Sequence, residues 1–174
     1  MRSILLNLIV ACVCVSPMNS QGNSEFIEDF LVKWSNAHEY TLQVADALPA
    51  SQYDFKPTED QRAFHEQITH LCANMIWLST TYLDGNGLES ANADEPPTDK
   101  EDIIELLNES FDYAHATISQ LDPNTLDAEL DFFAGPMSRR RVMLLMADHL
   151  AHHRGQAIVY LRLKSIDPPR YKGW

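Results

Sequence analysis

Two histidines four residues apart, His149 and His153, carry the clearest chemical signal in the sequence. On a helix, residues at that spacing lie one turn apart on the same face, so both imidazoles can reach one metal ion. Val142, Leu145, Met146, Ala157 and Tyr160 fall on that face at helical spacing, which puts the pair in the middle of an inward, apolar stripe. His152 lies to one side of it. Burying two imidazoles among apolar groups costs free energy unless each ring finds a partner. A shared metal supplies one; hydrogen bonds to other core side chains are the alternative. The paired spacing favours the metal.

One helix offers only two ligands at this spacing, so a third must come from elsewhere. His70 lies mid-way along another helical pattern, beside the seam of Phe64, Ile68 and Leu71, and matches the pair best in depth. His65 stands on a different face of the same pattern, and His38 and His115 are reserve candidates on other segments. Three histidines without a fourth protein ligand leave coordination positions open, as catalytic sites do and closed structural sites do not. Zinc is the first expectation for the ion, with nickel, iron and manganese as alternatives, because imidazole suits several metals and affinity order does not reveal the one used in the cell.

Other residues near these histidines have two readings each. Gln156 shares the inward face and either orients a ligand or bonds between helices. Glu66, one turn before His70, is either a proton acceptor or a solvated helix residue, with solvation favoured. Arg154 and Asp148 flank the pair, and Arg154 reads as a surface ion-pair residue. Arg139, Arg140 and Arg141 open the last helix, where positive charge opposes the helix dipole, so carboxylate partners are expected from the acidic 127–131 stretch. Cys72 follows His70 by two and faces away from it. Tyr171 and Trp174 are expected to pin the C-terminal tail.

Four helical patterns must position these groups. The first runs from Ser24, as N-cap, through Phe26, Phe30, Trp34, His38, Leu42 and Ala45 to about Leu48, and Pro49 ends it. The second starts near Thr58 or Glu59 and follows Phe64, Ile68, Leu71, Met75, Leu78 and Tyr82 to about Leu83, where Asp84-Gly85-Asn86-Gly87 stops it. A loop up to Pro96-Pro97 follows, read as surface rather than lid. Thr98 or Asp99 caps the third pattern, whose stripe is Ile103, Leu106, Leu107, Phe111, Ala114, Ile118 and Leu121. Residues 126–133 alternate loosely, Gly135-Pro136 is a break, and Ser138 caps the fourth helix, which continues to about Lys164. No strand pattern is strong enough to predict a sheet. The fold class is therefore all-α, a four-helix bundle.

The bulk numbers agree with one domain: 174 residues, 45% hydrophobic and 22% charged. A net charge of -12 argues against nucleic acid as a partner, since phosphate backbones would repel the chain. Arg2 and the apolar run Ile4 to Val15, followed by Ser20 and Gly22, have the order of a signal peptide; the run is shorter than the roughly 20 residues that span a bilayer. Residues 1–22 are read as the leader and 23–174 as the domain, giving an exported, periplasmic or secreted protein. Ile9-Val10-Ala11-Cys12 offers a rival ending, lipidation at Cys12 and membrane attachment. Cys12 and Cys14 lie in the leader, so the domain keeps only Cys72 and forms no internal disulfide.

The run His149 to Gln156 (HLAHHRGQ), with Tyr160-Leu161-Arg162-Leu163 and Pro168-Pro169-Arg170-Tyr171, resembles the DinB-like metal-binding superfamily. So do Leu48-Pro49, Tyr53 to Pro57 and Phe64 to Leu71. The resemblance implies an up-down-down-up bundle, often a homodimer. It implies a metal held by one histidine of the second helix and a pair on the fourth, positions that match His70, His149 and His153. Relatives include transferases and isomerases that use small thiols, and a metal ion favours the nucleophilic thiolate. Low-molecular-weight thiols are cytosolic, so export weakens the expectation of thiol transfer and leaves hydrolysis by a metal-bound water open. The reading is a metal-dependent transferase or hydrolase acting on a small molecule; the competing reading is a non-catalytic metal-binding or stress-associated bundle.

Overall fold

In a computed structural model, residues 18–88 and 95–173 are described. Cys12, Cys14, most of the leader, the centre of the 84–97 loop and Trp174 lie outside them. Four helices make up most of the fold: α1 (Met18–Ala47), α2 (Phe64–Tyr82), α3 (Lys100–Ser119) and α4 (Arg139–Leu163). Short 3-10 turns at Ala50–Gln52 and Pro123–Thr125 occupy two connections. No helix among the described residues is long and apolar enough to cross a membrane.

Side-chain contacts fix the direction of each helix. His38 bonds Asn108 while Lys100 reaches the carbonyls of Asp46 and Leu48, so α1 and α3 run antiparallel. Gln67 meets Gln156 and Arg139 meets Asp84, so α2 and α4 are antiparallel as well. Arg140 bonds Asn23 and Arg154 bonds Ala37, which makes α1 and α4 parallel. The result is an up-down-down-up bundle. Helices α1 and α2 sit on one diagonal, and each packs against both α3 and α4. The core includes Trp34, Phe64, Phe111, Leu71, Met75, Leu107 and Val142, all essentially inaccessible to water.

Several boundaries differ from the sequence expectation, each for a local reason. Helix α1 begins by Met18, so Ser24 is inside it and is no cap. Helix α2 begins at Phe64 rather than near Thr58. There the Glu66 carboxylate accepts from the Ala63 N–H at 2.5 Å, half of a capping box, and the residues before it are held as turns. The connection is pinned by Tyr53, whose hydroxyl donates to the Ala45 carbonyl at 2.8 Å. Burial raises the Tyr53 pKa, with Asp46 and Glu101 adding to the effect. A minimal antiparallel hairpin, β1 (Glu129–Leu130) with β2 (Met137–Ser138), replaces the expected strand-free connection. Gly135, at φ 108°, turns it in a conformation that favours glycine. Ser138 caps α4 as expected: its Oγ accepts from the Arg141 N–H at 3.4 Å.

Candidate metal centre

The antiparallel packing of α2 on α4 brings His70, His149 and His153 together. Each offers a ring nitrogen within 4.8 Å of the other two. The Nε2 atoms of His70 and His149 stand 3.1 Å apart, and the ring centroids are separated by 4.4 to 4.9 Å. Three nitrogens on one tetrahedral zinc are roughly 3.4 Å apart, given metal–nitrogen bonds of about 2.0–2.1 Å. The His70–His149 edge is therefore close to ligand spacing, and His153 lies within reach of the same point. His153 is buried, while His70 and His149 are half-buried.

Electrostatics keep these rings neutral. Burial pushes the pKa of His149 and of His153 down to about 4, and the charges of the neighbouring histidines and Arg62 push the same way. His70 is lowered by burial and then by Arg62. Arg62 precedes α2, and its carbonyl accepts from the Tyr160 hydroxyl at 2.7 Å, which ties it to α4. A neutral imidazole is the form that binds metal.

The surrounding polar groups test whether an ion fits. His153 Nδ1 is buried without a hydrogen-bond partner among the described residues, and so are Gln67 Oε1 and Asn74 Oδ1, one turn to either side of His70. Buried polar atoms are rarely left unpaired, so their concentration around three converging imidazoles marks a place built for something further. Three neutral nitrogens and an orphaned ring nitrogen suit a divalent ion. No carboxylate or thiolate among the described residues joins the group.

The other sequence candidates lie elsewhere. His38 Nε2 is 2.9 Å from Asn108 Oδ1, and its ring stacks on Phe111. His65 faces Asp54 at 3.4 Å, and neither His65 nor His115 joins the cluster. His152 is exposed, with Nε2 2.6 Å from Gln156 Nε2. Gln156 accepts from Gln67 across the seam, so it bonds between helices. Glu66 is turned to Ala63 and to Lys56, 3.5 Å away, and not to His70. Cys72 is buried, and burial pushes its thiol up to about 12. Leu145, expected to point inward, is 37% exposed. The arginines that open α4 find carboxylates: Arg140 reaches Asp127 at 2.8 Å, as expected, and Arg139 reaches Asp84 at 2.8 Å. Tyr171 stays largely exposed, edge-on to Tyr40, and so pins the tail only loosely.

Residues 33–157, more than half of the chain, match the DinB superfamily. The chain belongs to the DinB superfamily. Members of this superfamily are in general metal-binding. One relative is YjoA of Bacillus subtilis, an uncharacterized protein 25% identical over 125 residues, covering 70% of this chain and 80% of YjoA. Two crystal structures show the same fold. The DinB-like YjoA superposes with a TM-score of 0.69 at 21% identity, over 83% of this chain and 97% of its own. A DinB-like protein of Bacillus cereus gives 0.71 at 19% identity, over 83% and 96%.

Two features of this DinB-superfamily member escaped the sequence. Arg154 is not a surface residue: it is 9% exposed, with Nη1 at 3.3 Å from both the Ala37 carbonyl and Thr41 Oγ1. Its guanidinium lies over the Tyr40 ring. These partners lie on α1, more than a hundred residues away in the chain, so no local pattern announces them. The second is an aromatic cluster in which Phe132 and Phe133 of the hairpin meet Trp77 and Tyr82 of α2.

Proposed function

We propose that this chain is a metal-dependent enzyme acting on a small molecule by transfer or hydrolysis, with His70, His149 and His153 as the metal ligands. The observation that carries the reading is the convergence of three neutral imidazoles from two helices, with no fourth protein ligand beside them among the described residues. Such a set leaves coordination positions for a reactant. A divalent ion, zinc by first expectation, supplies Lewis acidity to an oxygen or sulfur of that reactant. The chain's own residues do the positioning. The Gln67–Gln156 bridge holds the two ligand-bearing helices in register, one turn from His70 and from His153. Burial and the Arg62 charge keep the imidazoles unprotonated.

Export belongs to the same reading, through a leader ending near residue 22, as does a homodimer. An exported protein would not meet cytosolic thiols, which favours hydrolysis over thiol transfer. A non-catalytic metal-binding bundle is the second reading. It is favoured by the orientation of Glu66, which is committed to Ala63 and Lys56 and so is no general base.

The test begins with the purified full chain and elemental analysis, repeated on His149→Ala and His153→Ala. One metal per chain that is lost in both variants is the expected result; stoichiometric metal in both would remove the ligand assignment. Metal-loaded and metal-stripped protein are then screened for thiol conjugation and for ester and amide hydrolysis. Metal-dependent turnover supports the enzyme, and bound metal with uniform inactivity supports the binding bundle. Sequencing the N-terminus of exported material separates cleavage near residue 22 from lipidation at Cys12.

A further inference from the structure

We infer that a cavity between the C-terminal tail and helices α1 and α4 is a second binding site, separate from the histidine cluster, and that it takes a small aromatic carboxylate. The cavity has a volume of about 400 Å³, within the range of small-molecule sites. Tyr40 of α1, Gly155 and Arg162 of α4, and Pro168, Pro169 and Tyr171 of the tail line it, and none of the three clustered histidines does. The tail is held to α1 by the ion pair of Lys172 with Glu39. The site stands whether or not an ion occupies the histidines.

Gly155 is the first sign that this space is kept open. It sits in the interior of α4, where glycine is a poor helix former. A Cβ placed there would meet no atom within 4 Å outside its own stretch of helix. Neither conformation nor packing calls for glycine, and its effect is to leave the cavity unfilled. Tyr40 is the second sign. It is 4% exposed, yet its hydroxyl has no hydrogen-bond partner among the described residues. Buried hydroxyls are normally paired, and this one belongs to the cavity wall.

Charge gives the class of ligand. The Arg162 side chain makes no ion pair or hydrogen bond among the described residues, and the cavity lining includes no carboxylate. Glu39, next to Tyr40 in the chain, is engaged by Lys172. Arg154 lays its guanidinium over the Tyr40 ring, 4.8 Å from the centroid. It is a buried cation whose hydrogen bonds go to a carbonyl and a hydroxyl rather than to a carboxylate. A tyrosine hydroxyl can donate and a guanidinium only donates, so the complementary polar group is a negatively charged acceptor. The remaining walls are the Tyr171 ring, two proline rings and Ile158, which suit a flat apolar body. An aromatic carboxylate combines the two.

Phenylacetate, phenylacetamide and acetate are the probes, titrated by calorimetry into the zinc-loaded full chain and into His149→Ala. Phenylacetate should bind about tenfold tighter than the neutral amide and than acetate, which lack the charge and the ring respectively. It should bind equally well to His149→Ala, where a carboxylate held by the metal would be lost. Arg162→Gln and Tyr40→Phe should each weaken phenylacetate about fivefold and leave phenylacetamide unchanged. Gly155→Leu should weaken it about tenfold or more while the Tm holds or rises, because the added side chain fills the cavity and favours the helix. Arg162 is exposed, so Arg162→Gln keeps the test open if Gly155→Leu does not fold. No phenylacetate bound by the parent, or undiminished binding in Arg162→Gln, overturns the inference and leaves the metal reading intact. Binding that disappears in His149→Ala assigns the carboxylate to the metal and overturns it as well.

Discussion

Two histidine environments on opposite sides of the bundle solve the same problem in different ways. On the α1/α3 side, His38 has a hydrogen bond to Asn108 at 2.9 Å and a stacking partner in Phe111, with ring centroids 4.5 Å apart. On the α2/α4 side, three histidines have mainly one another, and His153 Nδ1 has no partner among the described residues. His38 is a part-buried residue whose ring is satisfied by its neighbours in the packed chain. The triad is a set of donors whose mutual arrangement has no purpose within the packed chain, since three neutral rings held at ligand spacing oppose burial without repaying it.

Substituting one residue from each environment should separate them most sharply. His153→Ala should reduce metal affinity at least 100-fold, while His38→Ala should keep one metal per chain and lose about 1–2 kcal/mol of stability, the scale of one hydrogen bond and some packing. Elemental analysis and denaturant melts read the two effects. Equal metal loss in both variants would erase the contrast.

Acid offers the next largest effect. His149 and His153 have folded pKa values near 4 against 6.5 in the unfolded chain. Both states are neutral above pH 6.5, so nothing is lost there. As pH falls from 6.5 toward 4, the unfolded chain takes up protons that the folded chain refuses, and the metal-free protein should destabilise through that window. The His149→Ala/His153→Ala double variant should show a shallower fall in Tm from pH 7 to 4.5. Metal-loaded protein should hold its Tm to lower pH, because protons must displace the ion.

Arg154 is a third probe, because it ties α4 to α1 rather than to α2. Arg154→Ala should cost about 2–4 kcal/mol through lost packing and hydrogen bonds. Arg154→Met, which keeps the stem and removes a buried cation that has no carboxylate partner among the described residues, should cost less than about 1.5 kcal/mol. Both variants should retain the metal. Metal loss in Arg154→Met would mean that the two sides of α4 are coupled. The smallest effect belongs to the cap: Ser138→Ala should cost about 0.5–1 kcal/mol without touching metal content, as thermal melts would read.

How much of this was readable in the sequence follows from range. The His149/His153 pair and the Ser138 cap are local patterns of one helix, and both stand where the sequence put them. The start of α2 was missed because the Thr58–Glu59 pattern imitates a cap, whereas Glu66 closes on Ala63 within a connection pinned by Tyr53. Leu145 fits an inward stripe by period, yet it is 37% exposed. The burial of Arg154 and the meeting of Trp77 with Phe133 depend on segments far apart in the chain, and composition holds no trace of either. His70 could be ranked above His65 by depth, but its convergence on the α4 pair depends on how two helices pack.

The ligand-bearing helices are remote in sequence: His70 and His149 are 79 positions apart. An ion shared between them would close a loop of that length, as a disulfide does elsewhere, and loop closure removes freedom mainly from the unfolded ensemble. Among the described residues the lone cysteine can form no such crosslink within the chain. Depleting the ion would then do more than silence a site. It would return nearly half the polypeptide to free diffusion whenever the bundle opens, so that refolding speed, and survival against proteases, would follow the local supply of metal.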